Sequence, residues 1–155
     1  MKQDSRLVRM LHVLIHIGLL GGRETSETIA RMLNTNPVVV RRTMSALRRK
    51  GIVGSEGGRG GGWVLLRPLT ELTVLDVQTA LREDKVLSAG LSSDHPACPV
   101  ERAANAALVE AFARAEETLI GEFGRLKLSI IADAALADAK KLPARAEPPR
   151  QEPIR

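Results

Sequence analysis

An Asn-Pro pair at positions 36 and 37 constrains the fold of this chain more than any other short segment. Asn36 can accept a hydrogen bond from the free backbone N–H groups of a helix start, and Pro37 suits the first helical position, where no N–H is needed. Apolar residues then recur at helical spacing: Val40, Met44 and Leu47. Because Gly51 lets the chain leave a helix, we predict a helix from Pro37 to about Lys50.

The opposite side of this predicted helix is basic. Its residues are Arg41, Arg42, Ser45, Arg48 and Arg49. A short helix from Glu27 to Leu33, with Ser26 as its predicted N-cap, precedes it across the turn at 34–36. Two helices joined by a tight turn, the second with a one-sided basic face, form the arrangement that places a helix in the major groove of DNA.

A glycine-rich turn follows the basic helix. Ile52 to Gly54 begin a short strand, residues 57–62 read GGRGGG, and Trp63 to Leu66 supply the returning strand. Arg59 stands among five glycines, whose small bulk would let the tip approach a minor groove or a phosphate. We expect Trp63 to fill the space between hairpin and core rather than to stack on a base. The hairpin completes a predicted winged helix-turn-helix.

The rest of the chain favours helices. Aromatic residues are only 2% of the sequence, so the core must be aliphatic, which suits helix packing better than a sandwich of sheets. We predict one helix from Asp4 to Leu20, closed by Gly21, and another from Val74 to Glu83, capped by Thr73. The predicted fold class is therefore mainly α with a small β-hairpin.

A long helix is predicted after Pro99. From residue 100 onward its apolar positions step by three or four: Ala104, Leu108, Ala111, Ala115, Leu119, Phe123, Leu126 and Ile130. Such a seam is too long for one small domain to cover, so we expect a partner helix and a separate final helix over 130–141. The predicted organisation is a DNA-binding domain at 1–83, a sensing loop or linker at 84–99, dimerisation and C-terminal helices at 100–142, and a disordered tail at 143–155.

The charge of the chain is segregated along the sequence. Residues 1–70 hold 12 Lys and Arg against 4 Asp and Glu, whereas residues 71–142 hold 8 against 12. Phosphate contacts supply most non-specific affinity for nucleic acid, so the first half is the one expected to face DNA.

Candidate DNA contacts fall into three groups. The N-terminal half of the basic helix should reach base edges, through Thr35, Asn36, Val38, Arg41, Arg42 and Ser45. Its C-terminal end should meet phosphates, through Arg48, Arg49 and Lys50. Arg6 and Arg9, at the start of the chain, are further phosphate candidates, and Arg59 is the candidate at the tip of the hairpin.

The segment from Asn36 to Glu83 resembles the Rrf2 family of bacterial transcriptional regulators. The shared features are the Pro-initiated helix, the Arg-Gly-Gly hairpin with its aromatic residue, and the Leu-Thr-Val-Leu-Asp-Val helix start. The resemblance implies a winged-helix DNA-binding protein with a long dimerisation helix after a short cysteine-bearing loop. Members that hold an iron–sulfur cluster have three cysteines in that loop, but this sequence offers only Cys98, with His95 nearby. We therefore expect no cofactor and a single-cysteine, cluster-free member.

Cys98 allows two interpretations. It can be a small packing residue, or its sulfur, at the N-terminus of a helix begun by Pro99, can be a reactive thiolate that senses oxidants. His12 and His16 have the i, i+4 spacing of metal ligands, but the sequence supplies no third ligand beside them, so no metal is expected. We find no nucleophile with a base, no paired carboxylates and no phosphate loop, so an enzyme is not expected.

Together these features predict a homodimeric repressor that binds a pseudo-palindromic operator in double-stranded DNA and responds to redox stress through Cys98. One alternative is a small-molecule-responsive repressor of the same fold in which Cys98 is incidental. Another, from a different class, is an interaction module whose basic helix binds an acidic protein. The apolar stretch from Met10 to Leu20 is too short to span a bilayer, so we expect no membrane contact and a cytoplasmic location.

Overall fold

A computed structural model describes residues 5–58, 61–81 and 91–140, and this part of the chain is mainly helical with one small hairpin. Its elements are α1 (Arg6–Leu20), α2 (Ser26–Met32), α3 (Pro37–Arg49), β1 (Val53–Glu56), β2 (Gly62–Leu65), α4 (Val74–Leu81), α5 (Pro99–Arg125) and α6 (Leu128–Ala139). The predicted fold class is confirmed. None of the helices described is long and apolar enough to cross a membrane.

The start of α3 and the ends of α1 and α3 follow from local chemistry, whereas the predicted start of α1 at Asp4 lies outside the described residues. The Asn36 side chain accepts a hydrogen bond from the Val38 N–H at 2.8 Å, and Pro37 occupies the first turn of α3. Gly21 and Gly51 both adopt positive φ, at 63° and 67°, where a side chain would be strained. These residues therefore set where α3 begins and where both helices end.

The prediction that Ser26 caps α2 is wrong. Thr25 is the N-cap, and its Oγ1 accepts from the Thr28 N–H at 3.1 Å. Ser26 is the first helical residue and is buried, and its Oγ accepts a hydrogen bond from the Trp63 indole N–H at 3.0 Å. Both hydroxyl residues suit a cap, and the tertiary contact with Trp63 decides between them.

The hairpin is attached to the helices through Trp63. Strands β1 and β2 pair antiparallel, with Ser55 opposite Trp63. On its other side, Trp63 exchanges two backbone hydrogen bonds with Glu24, of 2.9 and 3.1 Å. The Trp63 side chain is buried in the core, as expected, so the base of the wing is fixed to the start of α2.

Within the described residues, one mainly aliphatic core joins α1 to α6. Leu14 of α1, Met44 of α3, Val77 of α4 and Leu128 of α6 are completely buried in one cluster. The Leu128 N–H also donates to the Leu72 carbonyl at 2.9 Å, which pins the start of α6 beside α4. The final helix therefore packs against the DNA-binding part.

Helix α5 differs from the others because none of its 27 residues is buried. The predicted apolar seam lies along it as far as Phe123, but Leu126 has extended backbone and Ile130 belongs to α6. The helix includes Gly121 and Gly124 and continues to Arg125. The predicted tail at 143–155 and residues 84–90 of the predicted loop lie outside the described residues.

Candidate nucleic-acid interface

Helix α3 presents one apolar and one cationic face. Val40, Met44 and Leu47 are buried, whereas the exposed residues include Arg41, Arg42, Arg48, Arg49 and Lys50. Two valines at the start of the helix, Val38 and Val39, are also exposed, by 65% and 53%. An apolar methyl surface beside guanidinium groups suits base edges, because the major groove displays both thymine methyl groups and the N7 and O6 acceptors of guanine.

Arg41 is paired with a carboxylate. Its Nη2 lies 2.8 Å from Oε1 of Glu27, in the first turn of α2, and both side chains are about half exposed. The hydrogen bond from Arg41, followed by that from the backbone N–H of Glu27 itself, lowers the pKa of the Glu27 carboxyl. Glu27 is thus charged at neutral pH and connects α2 with α3 at the surface.

Arg48 connects α3 with the wing. Its Nη1 donates to the Ser55 hydroxyl of β1 at 2.8 Å. A second contact near the base of the wing is the ion pair between Arg23 and Glu56, at 2.8 Å. These exposed contacts orient cationic groups around the hairpin, although each contributes little to folding stability.

The predicted polar contacts at the start of α3 differ in exposure. Asn36 is exposed but uses its side-chain oxygen as the helix cap, so its amide group remains as the donor for a base. Thr35 and Ser45 are half-buried. Thr35 and Asn36 lie immediately before α3, and Ser45 lies on α3, four residues after Arg41.

The structure places the two N-terminal arginines differently. Arg6 is exposed in the first turn of α1. Arg9 is half-buried, and its Nη2 donates to the Leu33 carbonyl at 2.8 Å, at the end of α2. Arg9 therefore supports the turn that leads into α3. Arg59 lies outside the described residues.

Sequence reasoning missed Glu27 and Ser55 as parts of this surface. A signal for Glu27 was present, because it is the only carboxylate between Thr25 and Ser55, a segment with six Lys and Arg. Its partner could not be deduced, since Glu27 and Arg41 are 14 positions apart on different helices. No comparable signal in the sequence marked Ser55.

Cys98 lies at the N-terminus of α5, as predicted. It is the N-cap residue and is half-buried, and the backbone N–H groups of Glu101 and then Val100 lower the pKa of its thiol. The preceding loop is held to the helix by His95, whose N–H donates to Glu101 Oε2 at 2.9 Å, and by Asn105, whose amide donates to the Ser92 carbonyl at 2.8 Å. The thiol is therefore in a setting that favours the thiolate.

An apolar groove of about 490 Å³ lies between α1 and α6. Its lining includes Val8, Leu11, Ile15, Leu19 and Leu136. His12 and His16 also line it, with ring centroids 4.7 Å apart. Partial loss of water, and then repulsion from His16, lower the pKa of His12.

Several known proteins are similar to this chain. The HTH-type transcriptional regulator YwnA of Bacillus subtilis is 33% identical over 125 residues, which are 81% of this chain and 92% of that protein. The crystal structure of a DNA-binding protein matches with 31% identity and a TM-score of 0.60, over 78% of this chain and 97% of the other. CymR, the global cysteine regulator of B. subtilis, shares the fold, with 21% identity and a TM-score of 0.62 over 86% and 98% of the two chains.

The Rrf2 family model, described as an iron-dependent transcriptional regulator, matches residues 4–134. The side chains of this protein do not fit an iron centre. Cys98 is the only cysteine of the sequence. Within residues 5–58, 61–81 and 91–140, no group of three His, Cys, Asp or Glu side chains could hold a metal ion. The match nevertheless spans most of the chain and confirms the resemblance seen in the sequence. The protein is a transcriptional regulator rather than an enzyme, and it belongs to the Rrf2 family.

Proposed function

We propose that this regulator is a homodimeric repressor that binds a pseudo-palindromic operator with one α3 helix in each half-site. The observation that carries the proposal is the one-sided face of α3, cationic and exposed, on the second helix of a helix-turn-helix. Two-fold symmetry of the protein would place the half-sites about 34–36 Å apart, or at a multiple of that spacing. Such a repressor acts in the cytoplasm, on the promoter it occupies.

Exposed apolar surface supports the dimer. Leu108, Val109, Phe112 and Ile120 of α5 are 38–50% exposed, on a helix with no buried residue. A helix of 27 residues is about 40 Å long, and water would be excluded from its apolar seam by a second copy of the chain. The α1–α6 groove offers a further apolar surface to that partner.

We propose Cys98 as the group that links DNA binding to redox conditions. Its lowered thiol pKa and its place at the start of α5 support this role. Peroxide would oxidise the thiolate to a sulfenic acid, and this would condense with the partner's equivalent thiol to a disulfide with release of water. Either product would alter the start of the helix that we propose sets the spacing of the two DNA-binding domains.

A second candidate function is a response to a small molecule. The observation that favours it is the α1–α6 groove, whose volume lies within the range of about 300–1,000 Å³ typical of ligand sites. In that case Cys98→Ser would leave regulation intact, whereas substitutions in the groove would abolish it.

The direct test is selection of bound sequences from a random duplex pool, carried out with reduced and with peroxide-treated protein. We expect a two-fold symmetric motif, affinity that falls steeply as salt rises, and enrichment that changes on oxidation in the wild type but not in Cys98→Ser. Failure to enrich any sequence at low salt would refute the operator proposal and favour an acidic protein as the partner of α3. Equal responses of the wild type and Cys98→Ser would refute the redox role alone.

The contribution of α3 can be tested with Arg42→Ala, with Arg102→Ala on α5 as a control for charge. If Arg42 reads a base, the substitution should cost about 1–3 kcal/mol on the selected duplex and relax the preference at one position. If Arg42 meets a phosphate, the loss should be uniform among duplexes, and the salt slope should fall by about one per protomer. Equal effects of Arg42→Ala and Arg102→Ala would contradict the proposal.

A further inference from the structure

Glu27 stands at a position where an acidic residue is unfavourable for binding a polyanion. It lies in the first turn of α2, the helix that crosses the DNA backbone in a helix-turn-helix complex. Between Thr25 and Ser55 it is the only acidic residue against six Lys and Arg. The carboxylate is ionised at neutral pH, and the hydrogen bond from Arg41 lowers its pKa further, so it would repel DNA phosphates beside α2.

The Glu27–Arg41 ion pair itself contributes little to folding stability. Both side chains are more than half exposed, at 57% and 54%, and exposed ion pairs contribute little to stability. The pair does restrict Arg41, because the contact from Nη2 to Oε1 holds a long and otherwise flexible side chain against α2. This single contact uses one of the five N–H donors of a guanidinium, so others remain for a base edge.

We infer that Glu27 is a specificity-determining residue that positions Arg41 for a base contact and penalises DNA that lacks the matching base. This inference rests on the proposed binding of operator DNA by α3. On a matching duplex, a guanine that accepts two hydrogen bonds from Arg41 compensates for the repulsion between Glu27 and the phosphates. On random DNA Arg41 gains no such contact, while the repulsion remains.

Removal of the Glu27 charge should therefore affect the two kinds of DNA unequally. Non-specific binding should become tighter, since repulsion is lost and Arg41 is released toward phosphates. The affinity for the selected duplex also rises because the repulsion is lost. It rises less, however, because Arg41 is no longer positioned for its base contact. The ratio of specific to non-specific affinity should fall.

The experiment measures binding of the full-length protein to the selected duplex and to a random duplex of equal length, over a series of KCl concentrations. Glu27→Gln keeps the side-chain shape and an acceptor oxygen but removes the charge, and Glu27→Ala removes both. Glu110→Gln is the matched control, because it changes the net charge of the protein by the same amount as Glu27→Gln. Glu110 also forms an exposed ion pair, with Arg114, but lies on α5, outside the helix-turn-helix. Thermal melting followed by circular dichroism checks that each variant folds.

For Glu27→Ala we expect a specificity ratio at least about fivefold lower than that of the wild type, the smaller end of what a bidentate base contact is worth. The salt slope on random DNA should become steeper by about one per protomer. Glu27→Gln should share the tighter non-specific binding and lose less specificity. In an Arg41→Ala background, Glu27→Ala should lower the ratio little further, because the positioned group is already absent.

Three results would overturn the inference. The first is that the wild type binds DNA specifically, but both Glu27 variants have the same ratio of specific to non-specific affinity and the same salt slope as the wild type. Another is an equal fall in the ratio with and without Arg41, which would separate Glu27 from that arginine. If the wild type itself binds selected and random duplexes equally, the proposed operator binding fails, and this inference fails with it.

Discussion

Loss of the Ser26 hydroxyl should loosen the wing without disturbing the core. In Ser26→Ala, the indole N–H of Trp63 loses the acceptor that lies 3.0 Å away. Trp63 is only 8% exposed, so water cannot readily replace the lost partner. An unsatisfied buried donor costs about 1–3 kcal/mol, and we expect the free energy of unfolding to fall by that amount.

Denaturation can be followed by the fluorescence of Trp63, the only tryptophan in the chain, and by circular dichroism of the helices. For a chain of this length, the expected loss corresponds to a thermal midpoint lower by about 2–12 °C. Ser55→Ala is the matched control, because Ser55 lies opposite Trp63 in the hairpin but is exposed. An exposed substitution of this kind should change stability by less than about 0.5 kcal/mol.

A double-mutant cycle with Trp63→Phe isolates the hydrogen bond from the loss of indole volume. The cost of Ser26→Ala should shrink in the Trp63→Phe background, because no indole N–H is then left without a partner. Equal costs of Ser26→Ala in both backgrounds, or equal costs of Ser26→Ala and Ser55→Ala in the wild type, would refute the reasoning.

Three further predictions address the helix ends, the groove and the dimer. Gly51→Ala should lower the free energy of unfolding by about 1–2 kcal/mol, because the backbone φ of Gly51 is 67°. A Cβ would meet no atom within 4 Å at Gly51 or at Gly57. Gly57 does not have a positive φ, so Gly57→Ala should cost less. The lowered pKa of His12 means that the unfolded chain takes up a proton first as pH falls below about 6.5, so stability should decline from there down to the folded-state pKa. In urea titrations from pH 7.5 to 5, His12→Gln should flatten this decline in stability, and His16→Gln should make it smaller because the repulsion is removed. An unchanged decline in both variants would contradict the assignment of the pH dependence to His12. Phe112→Asp should convert the proposed dimer to a monomer in sedimentation velocity, and a dimer of unchanged affinity would place the interface away from this part of α5.

Much of the fold could be predicted because its signals are local. Asn36, Pro37 and Gly51 act through their own backbone geometry, and Val40, Met44 and Leu47 share one side of a helix by spacing alone. The DNA-contact residues proposed on α3 come from the same periodicity, since the side opposite a buried face must be exposed. The resemblance to the Rrf2 family rests on the segment that contains these residues, and the match of the family model to residues 4–134 confirms it.

The failures concern groups whose partners are distant in sequence. Ser26 and Thr25 are equivalent as caps by local chemistry, and only the indole of Trp63, 37 positions away, assigns Ser26 to the core. The hydrogen bond from the Arg9 guanidinium to the Leu33 carbonyl, 24 positions away, could not be deduced either, and the phosphate contact of Arg9 stays a prediction.

The sequence by itself determined that this chain has a winged helix-turn-helix with a cationic α3, because helix periodicity, caps and glycine turns are properties of neighbouring residues. Only the tertiary structure decided which cations of that surface are held by partners, because Arg41 with Glu27 and Arg48 with Ser55 meet only after α2, α3 and β1 pack together. Packing is set by the shared aliphatic core, in which Leu14, Met44 and Leu128 contribute from three separate helices. The order of residues predicts the elements, and the buried contacts between elements determine the geometry of the candidate interface.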